Sequence, residues 1–145
     1  MMLDDYMNEW AKDAVIPKDG LDEASRQIPY LHAKWWRHLS TAKLHLKKIE
    51  LEHKILYRNK VVWYSDKMLD EDRIKLKWPV RDGRKILPAQ LSTYIDADAD
   101  IQELMRRRTL ADETVNFLID VIKHVNGRGF IISNMVKYLA FSQGQ

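Results

Sequence analysis

Apolar residues recur along this chain at helical intervals for most of its length. Leu3, Tyr6, Met7, Trp10 and Ala14 are three and four residues apart and predict a short amphipathic helix over 3–14, ended by Pro17 and Gly20. A second helical segment is expected from Leu21 to Gln27, before Pro29. From about Leu31 to Ser65 there is neither glycine nor proline, and Trp35, Leu39, Ala42, Leu46, Ile49, His53 and Leu56 follow a 4-3 alternation. A helix of that extent is roughly 50 Å long at about 1.5 Å per residue. It cannot bury its seam against itself, so it requires other helices, from this chain or from a neighbouring protomer.

The period changes around 72–88. Ile74, Leu76 and Trp78 alternate with Lys75 and Lys77, and Arg81-Asp82-Gly83-Arg84 resembles a turn before Ile86-Leu87. This predicts a small β-hairpin with Pro79 and Pro88 at its edges. Asp96 to Asp100 then has the acidic character of a helix start. The apolar set Ile101, Leu104, Met105, Val115, Leu118, Ile119, Ile122 and Val125 keeps one helical phase up to Asn126. Gly127 and Gly129 are expected to stop that helix, and a last one is expected from about Phe130 to Phe141. The fold class is therefore mainly α, with long amphipathic helices and one hairpin insertion. The 145 residues are expected to form a single domain in three parts: a helical part at about 1–65, a hairpin or linker at about 66–96, and a C-terminal helical part at about 97–145.

Composition narrows the classes without choosing one. Hydrophobic residues make up 46% of the chain, enough for a core. The absence of cysteine removes disulfides, thiolate metal sites and cysteine nucleophiles. Met1-Met2-Leu3-Asp4-Asp5 has neither a basic start nor a long apolar run, so no secretory leader is expected, and no membrane span is expected because no apolar run approaches the roughly 18 residues that one needs. Asp96, Asp98 and Asp100 imitate a calcium loop, but Ile101 stands where its glycine belongs and Arg107 where its glutamate belongs. His32, His38, His45, His53 and His124 contain no paired metal motif, and no serine or threonine sits in a nucleophile elbow. No enzyme, metal or cofactor is expected.

Charge changes the picture at one place. Lys34 to Lys60 holds eight lysines and arginines against Glu50 and Glu52, in a chain whose formal charge is only +3. At 100° per residue, Lys43, Lys47, Lys54 and Arg58 fall within about 60° of one another on the helix surface. Such a line can follow a phosphate backbone and release counterions, and Tyr57, Trp63 and Tyr64 lie nearby as surfaces on which bases could stack. A solvated helix face is the rival explanation, and the pattern alone slightly favours it. A third reading is a structural or adaptor coiled-coil protein whose basic face meets an acidic protein. Lys60 is anomalous, because the heptad count puts it in the apolar seam. Arg106-Arg107-Arg108 is a second basic cluster, read as solvated surface or a protein contact.

Lys34-Trp35, Ile49-Glu50, Arg58-Asn59-Lys60 ahead of Tyr64-Ser65, and Arg128-Gly129-Phe130 occur in an order and spacing that resembles the UvsY recombination mediators of T-even-type bacteriophages. The likeness covers nearly the whole chain. It implies a non-enzymatic protein that binds single-stranded DNA and forms a ring-like homo-oligomer, typically a heptamer, in the cytoplasm of the infected bacterial host. It also implies two partners, a phage recombinase of the UvsX type and the phage single-strand-binding protein, with the mediator helping the first load onto DNA coated by the second. The family's basic-x-basic motif maps onto Arg58 and Lys60, with arginine and lysine in exchanged order. Lys54, Lys47 and Lys43 extend the expected nucleic-acid-binding set. The stretch 66–100 departs from the family, and no role is carried over to it.

Overall fold

A computed structural model describes residues 1–144, and in it the elements are helical throughout. They are α1 (Leu3–Asp13), α2 (Leu21–Arg26), α3 (Ile28–Tyr64), α4 (Asp70–Lys75), a 3-10 turn (Pro88–Gln90), α5 (Leu91–Asp96) and α6 (Ala99–Ser142). No helix among the described residues is long and apolar enough to cross a membrane. The chain divides into two compact units, one made of Met1–His45 with the residues from Leu110 onward, the other of Leu46–Thr109.

The first unit is built around the α3 seam. Trp35, Leu39 and Ala42 are buried, and so are Leu31 and Tyr6. Trp10 of α1 meets the Trp35 ring edge-on at 5.6 Å, and the Trp35 indole N–H donates to Asp13 at 3.0 Å. Asp13 and Glu9 also receive Lys34, at 2.7 and 2.8 Å. From α6 come Ala111, Val115, Leu118, Val121, Ile122, Val125 and Ile132, all buried. Arg128 is buried as well, and its guanidinium donates to the carbonyls of Ala14 and Val15 just past the end of α1. A cation over those unpaired carbonyls complements the helix dipole.

The expected break at Gly127 and Gly129 does not occur, because α6 runs through both. Each interior glycine costs a helix about 1 kcal/mol relative to alanine. Val125, Arg128 and Ile132 nevertheless keep the buried phase across the pair, and continuing that face outweighs the propensity. Punctuation by glycine was the wrong signal here.

The expected β-hairpin is also absent; the described residues contain no strand. Asp70, Glu71 and Asp72 occupy the first turn of α4, where negative charge is favourable. Lys77 adopts a left-handed backbone (φ 59°) and closes that helix, with the Lys77 N–H on the Ile74 carbonyl and the Trp78 N–H on that of Arg73. The alternation of Ile74, Leu76 and Trp78 spans only five positions, too few to outweigh an acidic helix start. Beyond Trp78 the chain is held by side chains instead. Arg81 grips Asp66 through two bonds of 2.7 and 2.6 Å and also donates to the Arg84 carbonyl.

Candidate nucleic-acid interface

In the second unit the C-terminal half of α3 carries the candidate cations. Lys47, Lys48, Lys54 and Arg58 are exposed. Lys47 leaves 78% of its side chain in solvent and has only a loose intrahelical contact, 3.5 Å, with Glu50. Among the described residues neither Lys54 nor Arg58 meets a carboxylate at ion-pair distance, and Arg58 donates only to the neutral Asn59 amide, at 2.9 Å. Lys43 belongs to the first unit, where it is exposed and its ammonium stands 5.8 Å from the centre of the Trp36 ring.

The two acids on this helix also meet cations from elsewhere. Glu52 is met by Arg107 at 3.4 Å and Glu50 by Arg108 at 3.8 Å, both from α6. The arginine cluster read from sequence as surface or protein contact is thus partly an internal counterion for α3. Nothing local in the sequence marks that role, since Arg107 lies 55 residues from its partner. Pairs this exposed stabilise little, and among the candidate cations of this unit Lys54 and Arg58 are left without a carboxylate partner among the described residues.

Lys60 stands apart from that set. Only 5% of the residue is exposed, and its ammonium sits 2.8 Å from Asp100 and 3.1 Å from Asp98. The Trp78 ring centre lies 4.1 Å away and that of Trp63 5.5 Å away. A cation so enclosed by two carboxylates and two indoles has no free face for a phosphate. The heptad count that carried Lys60 into the seam described its position correctly, whereas its expected contact with DNA conflicts with this burial.

Two of the three aromatic candidates are likewise committed. The Trp63 N–H donates to the Pro79 carbonyl at 3.0 Å, and its ring meets Tyr64 edge-on at 4.8 Å. The Tyr64 hydroxyl donates to Asp98 at 2.7 Å. Asp98 is in turn the N-cap of α6, accepting from the N–H groups of Asp100 and Ile101. Tyr57 differs: half-buried and 5.9 Å from His53, its side chain makes no hydrogen bond among the described residues. It lines an open groove of about 670 Å³ together with His53, Asp96, Ile101, Gln102, Met105, Arg106 and Thr109. No group of three or more histidines and carboxylates that could hold a metal occurs among the described residues.

The Asp98 cluster has a pH signature. Burial, then the bond to Asp98, push the Tyr64 hydroxyl up to about 12. Burial would raise Asp98, but the bonds from Tyr64, Lys60 and the Ile101 N–H outweigh it and hold the carboxyl below its usual range. Tyr64 is therefore higher in the folded than in the unfolded chain, where tyrosine titrates near about 10. Its stabilising contribution is complete below that pH and is lost as pH rises through about 12. Asp98 is the opposite case: its contribution holds above about 4 and is lost as pH falls through its lower folded value. Replacing Tyr64 with Phe is expected to lower stability at neutral pH and to flatten the decline between pH 10 and 12, read by urea unfolding at each pH. Tyr6, also raised by burial and by Glu9 and Asp5, leaves a residual slope. A variant that declines in parallel with the parent would contradict the assignment.

The described residues define a helical protein whose long α3 carries a row of exposed cations. Crystal structures of the bacteriophage T4 recombination mediator protein UvsY share the fold. In lattice type IV the TM-score is 0.78 at 21% identity, covering 98% of this chain and 99% of that one; in lattice type II it is 0.79 at 21%, covering 99% and 98%. The recombination protein uvsY of Enterobacteria phage T4 is 22% identical over 145 residues, the full length of both chains. Residues 9–145 match the family described as recombination, repair and ssDNA binding protein UvsY, and the chain belongs to that family.

Proposed function

We propose that this protein is a recombination mediator that holds single-stranded DNA on the α3 face of Lys47, Lys54 and Arg58, with Lys43 extending the line. The observation that carries this reading is the charge arrangement of α3. Its exposed Lys54 and Arg58 lack carboxylate partners among the described residues and Lys47 has only a loose contact with Glu50, while its two acids also meet arginines of α6. Phosphates can approach Lys54 and Arg58 without displacing an ion pair, and affinity follows from counterion release. Lys60 serves differently in this account, locking the end of α3 to the start of α6 so that Arg58 is presented on a rigid helix.

The mediator acts as a ring-like homo-oligomer, a heptamer by family resemblance, through the C-terminal part at about 97–145. Phe130, Ile131, Val136, Tyr138 and Phe141 expose apolar surface on α6, which supports self-association there. One protomer's exposed lysines bind a strand weakly, whereas several on one ring meet it at high effective concentration. A strand fixed to such a rim takes a path set by the protein. That path favours a UvsX-like phage recombinase over the single-strand-binding protein coating the DNA, in the cytoplasm of the infected host. The part at about 1–65 contacts DNA, 66–96 links it to the oligomerising part, and no catalytic step is involved.

Native mass spectrometry with and without an oligonucleotide tests this reading. The expected result is one closed oligomer that takes up the strand, and a chain ending before Phe130 that no longer forms it. An oligomer that retains no oligonucleotide at low ionic strength would point instead to an adaptor for an acidic protein. A DNA-free monomer would overturn both parts.

A further inference from the structure

The groove bounded by α3, α5 and α6 in the second unit has no part in the phosphate-binding face, yet it lies beside it. His53 and Tyr57 are one helical turn apart on its α3 wall, and each immediately precedes a cation of the line, Lys54 and Arg58. Two rows thus run side by side along α3, one aromatic and one cationic, each with a step of about 6 Å per four residues. That step is of the order of one nucleotide of an unstacked strand. The floor is apolar, formed by buried Ile101 and by Met105, whose unbranched thioether adapts to flat rings. Gln102 offers an amide at the edge. On the far wall the Arg106 guanidinium is tied only to Glu103 within its own helix, at 2.8 Å with both side chains largely in solvent, and is free to turn toward a phosphate.

We propose that this groove is a nucleobase subsite, in which a base of the bound strand stacks on Tyr57 and His53 while its flanking phosphates lie on Lys54, Arg58 and Arg106; this rests on the single-stranded-DNA reading above. Cations on both sides of an apolar slot select an amphipathic, negatively linked ligand, and a DNA strand has that chemistry. The slot is wide and open, with one amide and one carboxylate (Asp96) at its rim, so it takes any base. Among the candidate aromatics it has the one that is not committed to the fold: Trp63 and Tyr64 hold Pro79 and Asp98, and Tyr57 holds nothing.

Two oligonucleotides of equal length test the subsite, one of thymidines and one with abasic sites throughout, so that phosphate count is constant. Because one stacked base contributes about 1–3 kcal/mol, the full-length protein is expected to prefer the thymidine strand by at least about fivefold. Tyr57→Ala should abolish that preference while affinity for the abasic strand and the salt slope stay unchanged, and Tyr57→Phe should retain it. Equal affinity of the parent protein for the two strands would overturn the subsite and leave phosphate binding intact. So would a Tyr57→Ala variant that weakens both strands alike, or one that changes the oligomer mass without touching the base preference, since the groove would then seat a second copy of the chain. Failure of both strands to bind at low salt would overturn the DNA reading and the subsite with it.

Discussion

Lys60→Met is expected to destabilise the second unit by about 3 kcal/mol, the scale of removing one partner from a buried ion pair. The loss has a specific origin. Lys60 is the counterion of Asp98, whose side chain is 9% exposed, and of Asp100, whose side chain is 59% exposed. Without the ammonium, Asp98 loses its buried counterion in a poorly hydrated site and keeps only the Tyr64 hydroxyl and the α6 N–H groups as partners. Asp100 can turn to water, which limits the cost. Because the penalty belongs mainly to the orphaned carboxylate, combining Lys60→Met with Asp98→Asn is expected to recover part of it. Asparagine still caps α6 and accepts from Tyr64. Equilibrium unfolding of the two single variants and the double variant gives the coupling directly. Additive losses would mean that the pair contributes nothing as a pair. The same variant separates support from contact: where Lys60→Met remains folded, its DNA affinity should keep the parent's dependence on salt.

The second large effect concerns DNA. Lys54→Glu with Arg58→Glu is expected to reduce affinity for a single-stranded oligonucleotide at least tenfold at about 0.1 M salt, because two phosphate contacts are lost per protomer and the loss is multiplied across an oligomer. Both side chains are exposed and pair with no carboxylate among the described residues, so stability should change little. Fluorescence anisotropy measures the affinity and circular dichroism checks the fold. A folded double variant with the parent's affinity would remove this face from the site.

The α3 seam was readable because a heptad pattern is local: Trp35, Leu39, Ala42 and Ile49 are buried, and Leu46, His53 and Leu56 are half-buried. Continuing the count even predicted that Lys60 would turn inward. What a periodic pattern cannot contain is the partner, since Asp98 and Asp100 reach Lys60 only after the intervening segment folds back. The DNA role expected for Lys60 came from a motif, and the burial of its ammonium reassigns it to support. The hairpin expected over 72–88 fails for a different reason. The helix α4 overlapping it closes on left-handed Lys77, a position where sequence rules look for glycine. Conversely, Gly127 and Gly129 were read as a stop that the buried face of α6 overrides. Of the aromatic candidates, only side-chain bonding distinguishes Tyr57 from Trp63 and Tyr64, and no spacing encodes it.

Exposed cations of α3 are expected to neutralise the phosphates of single-stranded DNA, and a titration of oligonucleotide affinity against salt reads that neutralisation. Log affinity is expected to fall linearly with log salt by about 0.7 for each neutralised phosphate, with a slope that becomes shallower when Lys54 and Arg58 are replaced by alanine but not when Lys60 is replaced by methionine. A flat response in the parent protein, or a slope that depends on Lys60 and not on Lys54 and Arg58, would contradict it.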